Sequence, residues 1–218
     1  MSTGERIPLA AADALAARVV LELGPCCERI EVGGSVRRRR PDVGDLEIVA
    51  IPRMTMAGTQ SGLFGPTGEQ VSELWRELDR LVADGAGWAQ APGSVADCPR
   101  CKGAGGYTSA KGDTVCERCH GSGLATRAAP WGERYRQALY RGRQVDLFTT
   151  RPETWGALLL IRTGPSAFSR AWVTALREVG LRMEDGRVTD TGSTVPCPDE
   201  ETAFALTGWA WRPPEART

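Results

Sequence analysis

Lysine is nearly missing from this chain of 218 residues: Lys102 and Lys111 are the whole complement, and arginine supplies the rest of the 27 basic side chains. Net charge is missing too, since 27 acidic residues balance them. With no global field to attract a polyanion, a nucleic-acid partner would have to be met by a local basic surface. Arginine suits that task, because its guanidinium makes paired contacts to phosphate. No apolar run is long enough to cross a bilayer, which excludes a membrane-spanning helix. The N-terminus lacks a signal-peptide pattern, so a cytoplasmic or nucleoid-associated protein is expected. Histidine occurs once, as His120. What is present is ordinary: 41% hydrophobic and 25% charged residues, as in a soluble globular protein with one or two cores.

The stretch richest in chemistry is Gly34-Ser35-Val36-Arg37-Arg38, followed by Gly44-Asp45-Leu46-Glu47. A Gly-Ser turn offers backbone N–H groups and a hydroxyl, the makings of a phosphate cradle. Asp45 and Glu47 are two apart in a run that reads as a strand over residues 45–51, which would set both carboxylates on one face. Adjacent carboxylates repel unless a cation lies between them, and a divalent metal beside a phosphate cradle points to phosphoryl chemistry.

Around this stretch the periodicity predicts a helix over residues 8–23, a strand over 29–34, a loop over the Gly/Thr/Ser/Pro-rich 55–68 and a helix over 69–83. Residues 84–130 read as an irregular, metal-held insertion. Two antiparallel strands, 135–140 and 144–148, should turn at Arg141-Gly142. Helices follow over 155–161 and 166–179, the second stopped by Gly180, then a hairpin over 181–188 with an Asp185-Gly186 turn, and a helix over 199–206.

Seven cysteines in a cytosolic chain argue for metal rather than disulfides. Cys98-x2-Cys101, fourteen residues, then Cys116-x2-Cys119 has zinc-site spacing. Each half continues Cys-x-Gly-x-Gly, similar to the zinc repeats of DnaJ-type chaperones; no J-domain pattern accompanies it, so a chaperone role is not implied. Four thiolates fill a tetrahedral shell, so one structural Zn2+ is expected, with His120 a bystander. Cys26, Cys27 and Cys197 read as small buried hydrophobes.

Taken together, the Gly-Ser turn and the Asp-x-Glu pair resemble the active-site strands of the polymerase-beta-like nucleotidyltransferases, and the later segments resemble DNA polymerase family X. Arg143-Gln-Val-Asp146-Leu-Phe148 is similar to the strand carrying that family's third aspartate. Trp155-Gly-Ala-Leu-Leu-Leu160 with Thr163-Gly164, and the ending Pro213-Pro214-Glu215-Ala216-Arg217, resemble its palm–thumb junction and its thumb. The resemblance implies an α+β fold: a palm sheet with helices on one face, a zinc-binding insertion and a small α+β thumb. It divides the chain into palm (1–83), insertion (84–130), palm again (131–160) and thumb (161–218). It implies Asp45, Glu47 and Asp146 as catalytic ligands of two Mg2+ or Mn2+ ions, with Asp146 nearest the attacking hydroxyl. Gly34, Ser35, Arg38 and Gly44 would hold the phosphates of a nucleoside triphosphate.

The function so implied is addition of nucleotides to a DNA 3′ end in repair or replication, by a minimal family X-like polymerase without lyase and fingers domains. The alternatives are a nucleotidyltransferase acting on RNA, protein or a small molecule, and a catalytically silent nucleic-acid-binding module. Such a trimmed enzyme would fit a phage or mobile element. Grip on DNA would come from Arg162, Arg170, Arg177 and Arg182, from a protein partner, or from Arg100, Lys102, Lys111, Arg118 and Arg127 of the insertion. Arg37, Arg39 and Arg40 read as a solvated basic turn. Against the family pattern, Glu47 replaces an aspartate, Ile161-Arg162 replaces a Tyr-Phe pair beneath the nucleotide sugar, and Ser169 replaces an asparagine. Proline after Gly164 predicts a cis peptide there.

Overall fold

The computed structural model describes residues 5–62, 65–109 and 112–217. Its first bridge, β1 (Ile7–Pro8), pairs with β3 (Asp42–Val43). Pro8 caps α1 (Leu9–Leu23), whose Ala12, Ala16, Val19 and Leu23 are buried at helical spacing. β2 (Cys27–Val32) leads into a one-turn helix, α2 (Gly34–Arg37), and β4 (Leu46–Pro52) follows β3. β5 (Met54–Gly62) and β6 (Gly65–Ser72) pair as an antiparallel ribbon. Ser72 Oγ accepts from Trp75 N at 3.3 Å and so starts α3 (Glu73–Asp84), which buries Leu74, Trp75, Leu78 and Leu81 and ends at Gly85 with φ +65°.

β7 (Trp88–Gln90) precedes the cysteine segment, where β8 (Ser94–Asp97) pairs with β11 (Leu124–Arg127) and β9 (Gly106–Ser109) with β10 (Gly112–Val115). β12 (Tyr135–Tyr140) and β13 (Arg143–Thr149) form the expected hairpin, turning on Arg141 and Gly142, both at positive φ. After α4 (Trp155–Thr163) and α5 (Ser166–Glu178) come β14 (Arg182–Glu184), β15 (Arg187–Asp190) and β16 (Ser193–Thr194) in one small sheet. α6 (Glu200–Leu206) follows, capped by Asp199 accepting from Thr202 N at 2.7 Å.

The central sheet has the order β2-β4-β13-β12-β7. β4 and β13 run parallel and the other neighbours antiparallel. Alternation sorts its side chains. Leu46, Ile48, Ala50, Val145, Leu147, Ala138 and Tyr140 join α1 and α3 in the main core, so both helices cover one face, as expected for an α+β palm. On the other face Val49, Ile51 and Phe148 pack with Trp155, Leu158 and Leu159 of α4. The opposite stripe of α4, Ala157 and Leu160, enters a separate core with Phe168, Trp172, Val188 and Phe204. One helix thus belongs to both halves, and it fixes the second half against the open face of the sheet.

Two expectations are corrected. Residues 55–62 and 65–68 are not a loop but most of the β5–β6 ribbon, and α3 begins at Glu73 because 69–72 are paired in β6; residues 63–64 lie outside the described residues. In the ribbon's first strand Met54 and Met56 are 50% and 41% exposed. The insertion is likewise not irregular but two short antiparallel ladders.

Candidate active site

Glu47 on β4 and Asp146 on β13 are register partners on adjacent parallel strands, so their side chains leave the sheet side by side. They leave on the face away from α1 and α3, because the flanking Leu46, Ile48, Val145 and Leu147 are all in the core beneath. Asp45 lies in the bend just before β4 rather than within the strand. It remains electrostatically joined to the pair. Burial, and after it the charge of Asp146, lifts the Asp45 carboxyl above the usual carboxylate range. Burial and then Asp45 push Glu47 up to about 7, with Asp146 adding to the rise and Arg162 and Arg38 opposing it. Two carboxyls whose ionisation is hindered, beside a third carboxylate, are a donor set that a divalent cation would relieve, and their oxygens suit Mg2+ or Mn2+. Their grouping is looser than that of the cysteines, the only set of three or more such ligands among the described residues with all ligand atoms within 4.8 Å.

Asp146 is held from one side. Tyr135 Oη, Gln137 Nε2 and Gln144 Nε2 donate to its Oδ1 at 3.1, 3.0 and 3.1 Å. Tyr135 stacks on Phe148 with centroids 4.5 Å apart, and Arg162 lies 3.7 Å over the same ring. None of these donors carries a motif. Their one signal is the alternation along 135–140, which puts Tyr135 and Gln137 on the face of Asp146.

The Gly-Ser turn packs directly on this group. Gly33 N donates to Glu47 O at 2.7 Å. Gly34 has φ +59°, and a Cβ there would run into Glu47 Oε2 and stand 3.1 Å from its Cδ. Glycine is required twice over, by conformation and by space. Ser35 lies in the first turn of α2, and Gly44 O accepts from Arg143 Nη1 at 3.1 Å. Arg38 donates through Nη1 to Thr163 O, while its Nε is buried with no partner among the described residues; Arg162 Nε is in the same state. Two guanidinium groups with unused donors therefore flank Glu47, which fits an anionic ligand.

Arg37 is not part of a solvated turn. Its Nη1 and Nη2 donate to the two carboxylate oxygens of Glu200, both at 2.8 Å, and Nη1 also to Thr163 Oγ1 at 2.7 Å. Arg217, fully buried, donates to Glu200 Oε1 at 2.7 Å. Arg39 is exposed as expected, paired with Asp13 at 2.8 Å. Of the other arginines expected to grip DNA, Arg162 is drawn into the site, whereas Arg170, Arg177 and Arg182 are exposed. Ser169 Oγ donates to Ile161 O at 2.9 Å, tying it to its own helix junction. The Gly164–Pro165 peptide is cis, as its sequence predicts.

In the insertion, Cys98, Cys101, Cys116 and Cys119 are buried together. Cys98 and Cys116 Sγ are 3.8 Å apart, and Cys101 and Cys119 Sγ 3.7 Å. A tetrahedron with zinc–sulfur bonds of about 2.3 Å has edges of about 3.8 Å. The cluster can therefore hold a zinc ion, and four thiolates leave no open position for catalysis. The two knuckles mirror each other: Cys98 N donates to Gly123 O and Cys116 N to Gly105 O, at 2.8 and 2.9 Å. Cys27 and Cys197 are buried and unbridged; Cys26 is half-buried. Arg100 pairs with Glu117 at 2.9 Å, and Lys102, Arg118 and Arg127 are exposed. Lys111 lies outside the described residues.

Among the described residues no helix is long and apolar enough to cross a membrane. No curated protein matches the chain. The sequence model of the DNA polymerase beta thumb matches residues 158–218, the segment built of α5, β14–β16, α6 and the end of α4, and so supports a thumb of the family X kind here.

Proposed function

We propose that this chain is a nucleotidyltransferase that adds nucleotides to a DNA 3′ hydroxyl, with residues 1–83 and 131–160 as palm and 161–218 as thumb. The observation that carries this reading is the side-by-side placement of Glu47 and Asp146, with Asp45 coupled to both, on the open face of a sheet joined to a polymerase beta-like thumb. Asp45, Glu47 and Asp146 would hold two Mg2+ or Mn2+ ions, which when bound activate the attacking hydroxyl and neutralise the departing pyrophosphate.

The protein's own part is positioning and charge. Gly34 lets the turn approach Glu47 so closely that backbone and carboxylate would face one ligand. Ser35, Gly44 and the spare donors of Arg38 would grip the triphosphate. Asp146 would sit beside the primer terminus, its Oδ1 held by three donors and its Oδ2 without a hydrogen bond among the described residues. Arg162, stacked over Phe148 and near Glu47 and Asp146, stands with Ile161 where the resemblance would put the aromatic pair under the sugar. Sugar selection therefore rests on a cation and its hydrogen bonds rather than on stacking.

The test is extension of gapped, recessed and single-stranded DNA primers with Mg2+ or Mn2+. Incorporation that Asp146→Asn abolishes, with DNA binding kept, supports the reading. Incorporation that survives the change refutes the site. Transfer to RNA, protein or a small molecule instead would identify a different nucleotidyltransferase, and binding without transfer a silent module.

A further inference from the structure

We infer that Gln137 is a positioning residue for Asp146, and that the four-cysteine module sets it by clamping its backbone. The inference rests on the reading of Asp146 as a metal ligand, and it adds what holds that ligand in place. Beyond the three residues that pair with β7, β12 meets the strands leading to and from the cysteines at Gln137. Ala91 N, on the strand leaving for the module, donates to Gln137 O at 3.2 Å; Gln137 N donates to Pro130 O, on the returning strand, at 2.9 Å. Both ends of the module therefore meet on the backbone of one residue. The side chain of that residue donates to Asp146 Oδ1 at 3.0 Å and to Tyr135 Oη, the next donor to the same oxygen, at 3.2 Å.

From there to the cysteines the two strands stay in contact. A Cβ on Gly93 would stand 2.6 Å from Arg127 O, so the strands touch backbone to backbone at that point. β8 and β11 pair from Ser94–Arg127 to Asp97–Leu124, and Cys98 N then donates to Gly123 O at 2.8 Å. A metal in the cluster would close this ladder at its far end. The ladder has little else to hold it shut: β8 is exposed along its whole length, with Val95 64% exposed, and Leu124 opposite is 49% exposed. Its order is therefore expected to follow the metal. The near end of the ladder is the residue whose side-chain amide donates to Asp146.

The experiment is Mn2+ binding to the intact, zinc-loaded chain, followed by paramagnetic resonance of free Mn2+. Manganese favours oxygen ligands and leaves the thiolates to zinc. Removing an outer hydrogen-bond partner of a metal ligand weakens metal affinity by about tenfold or more. Gln137→Leu should do so without lowering the unfolding temperature appreciably. Zinc-stripped protein should show the same loss, and zinc-stripped Gln137→Leu no further loss, since both changes act through one link. Ala91→Pro removes one clamping N–H without touching a cysteine or Gln137, and should also weaken Mn2+ several-fold. Wild-type affinity in zinc-loaded Gln137→Leu or in Ala91→Pro would overturn the inference. So would a zinc effect of equal size with and without Gln137. Asp146→Asn separates the two readings: if it leaves Mn2+ binding unchanged, the metal-ligand assignment fails and the inference with it. If it abolishes tight binding while Gln137→Leu does not weaken it, only the inference fails.

Discussion

Arg37 and Glu200, 163 residues apart, meet in a two-pronged ion pair with both N–O distances at 2.8 Å. Arg37 closes the helical turn that begins at Gly34, and Glu200 opens α6. The pair therefore ties the candidate phosphate turn to the second half of the molecule. Glu200 is only 6% exposed and shares its charge with Arg217, which is entirely buried. Arg217 in turn donates to Arg212 O through Nε and Nη2, at 3.1 and 3.0 Å.

Removing one partner of a buried pair costs more than the pair itself contributes, because a charge is left without compensation. Glu200→Leu should destabilise the protein by about 3–5 kcal/mol, since it strands the buried Arg217 as well as Arg37. Arg37→Leu should cost less, because Arg37 is 22% exposed and Glu200 keeps Arg217. Urea unfolding midpoints of the two variants check the order; equal losses would mean that Arg217 does not depend on this carboxylate.

The same carboxyl gives a pH dependence. Burial pushes Glu200 upward, but hydrogen bonds from Arg217 and Arg37, with their charges, outweigh it and leave Glu200 below the usual glutamate value. A carboxyl depressed in the folded state adds stability that is complete above its unfolded value, about 4.3, and is lost as pH falls through the folded value. The gap in melting temperature between wild type and Glu200→Gln should thus be constant from pH 7 down to about 5 and narrow below about 4. A gap that widens on acidification would contradict the sign.

Much of the central sheet and its covering helices is readable from the sequence because these elements share one buried face. α1, α3, β4, β12 and β13 each show apolar periodicity, since each contributes to the same core. Among the described residues the β5–β6 ribbon adds none to that core, and it left no such pattern. The carboxylates and the cysteines are legible for a different reason: their chemistry fixes a spacing. Arg37 defeats that logic. Within a run of four arginines nothing distinguishes the one whose partner arrives from α6, and only the fold brings Thr163 and Glu200 to it. Gln137 is hidden likewise, because its importance comes from a neighbour on the next strand.

Gly34 and Gly44 both belong to the proposed phosphate site, yet they should respond differently to an added methyl. At Gly34 the positive φ alone costs a non-glycine residue about 1–2 kcal/mol, and the new Cβ would displace the Glu47 carboxylate. At Gly44 φ is not in the left-handed region, and a Cβ would make an ordinary 3.7 Å contact with Arg6 Nη1. Gly34→Ala should lower primer extension by about a hundredfold, the cost of misplacing a group by an ångström in a positioned site. Gly44→Ala should stay within a few-fold of wild type. A severe loss at Gly44 with little at Gly34 would place the phosphate elsewhere.

The four cysteines should bind one zinc per chain, and that zinc should order the module but not the central sheet with α1 and α3. Among the described residues the segment has no apolar core of its own: its fully buried residues are the ligands Cys98 and Cys116, with Val95, Val115 and Leu124 turned outward. Metal binding in small thiolate modules is worth roughly 10–16 kcal/mol of apparent free energy, so its loss removes what holds the two ladders together. The main core, by contrast, includes no described residue between Trp88 and Trp131. Cys98→Ser or stripping by a chelator should therefore raise amide exchange across residues 92–129 while α1 and α3 keep their protection. Metal analysis and hydrogen exchange of the intact chain check both halves of the statement. Exchange that rises in α1 and α3 as much as in the module would mean that the zinc supports the whole fold.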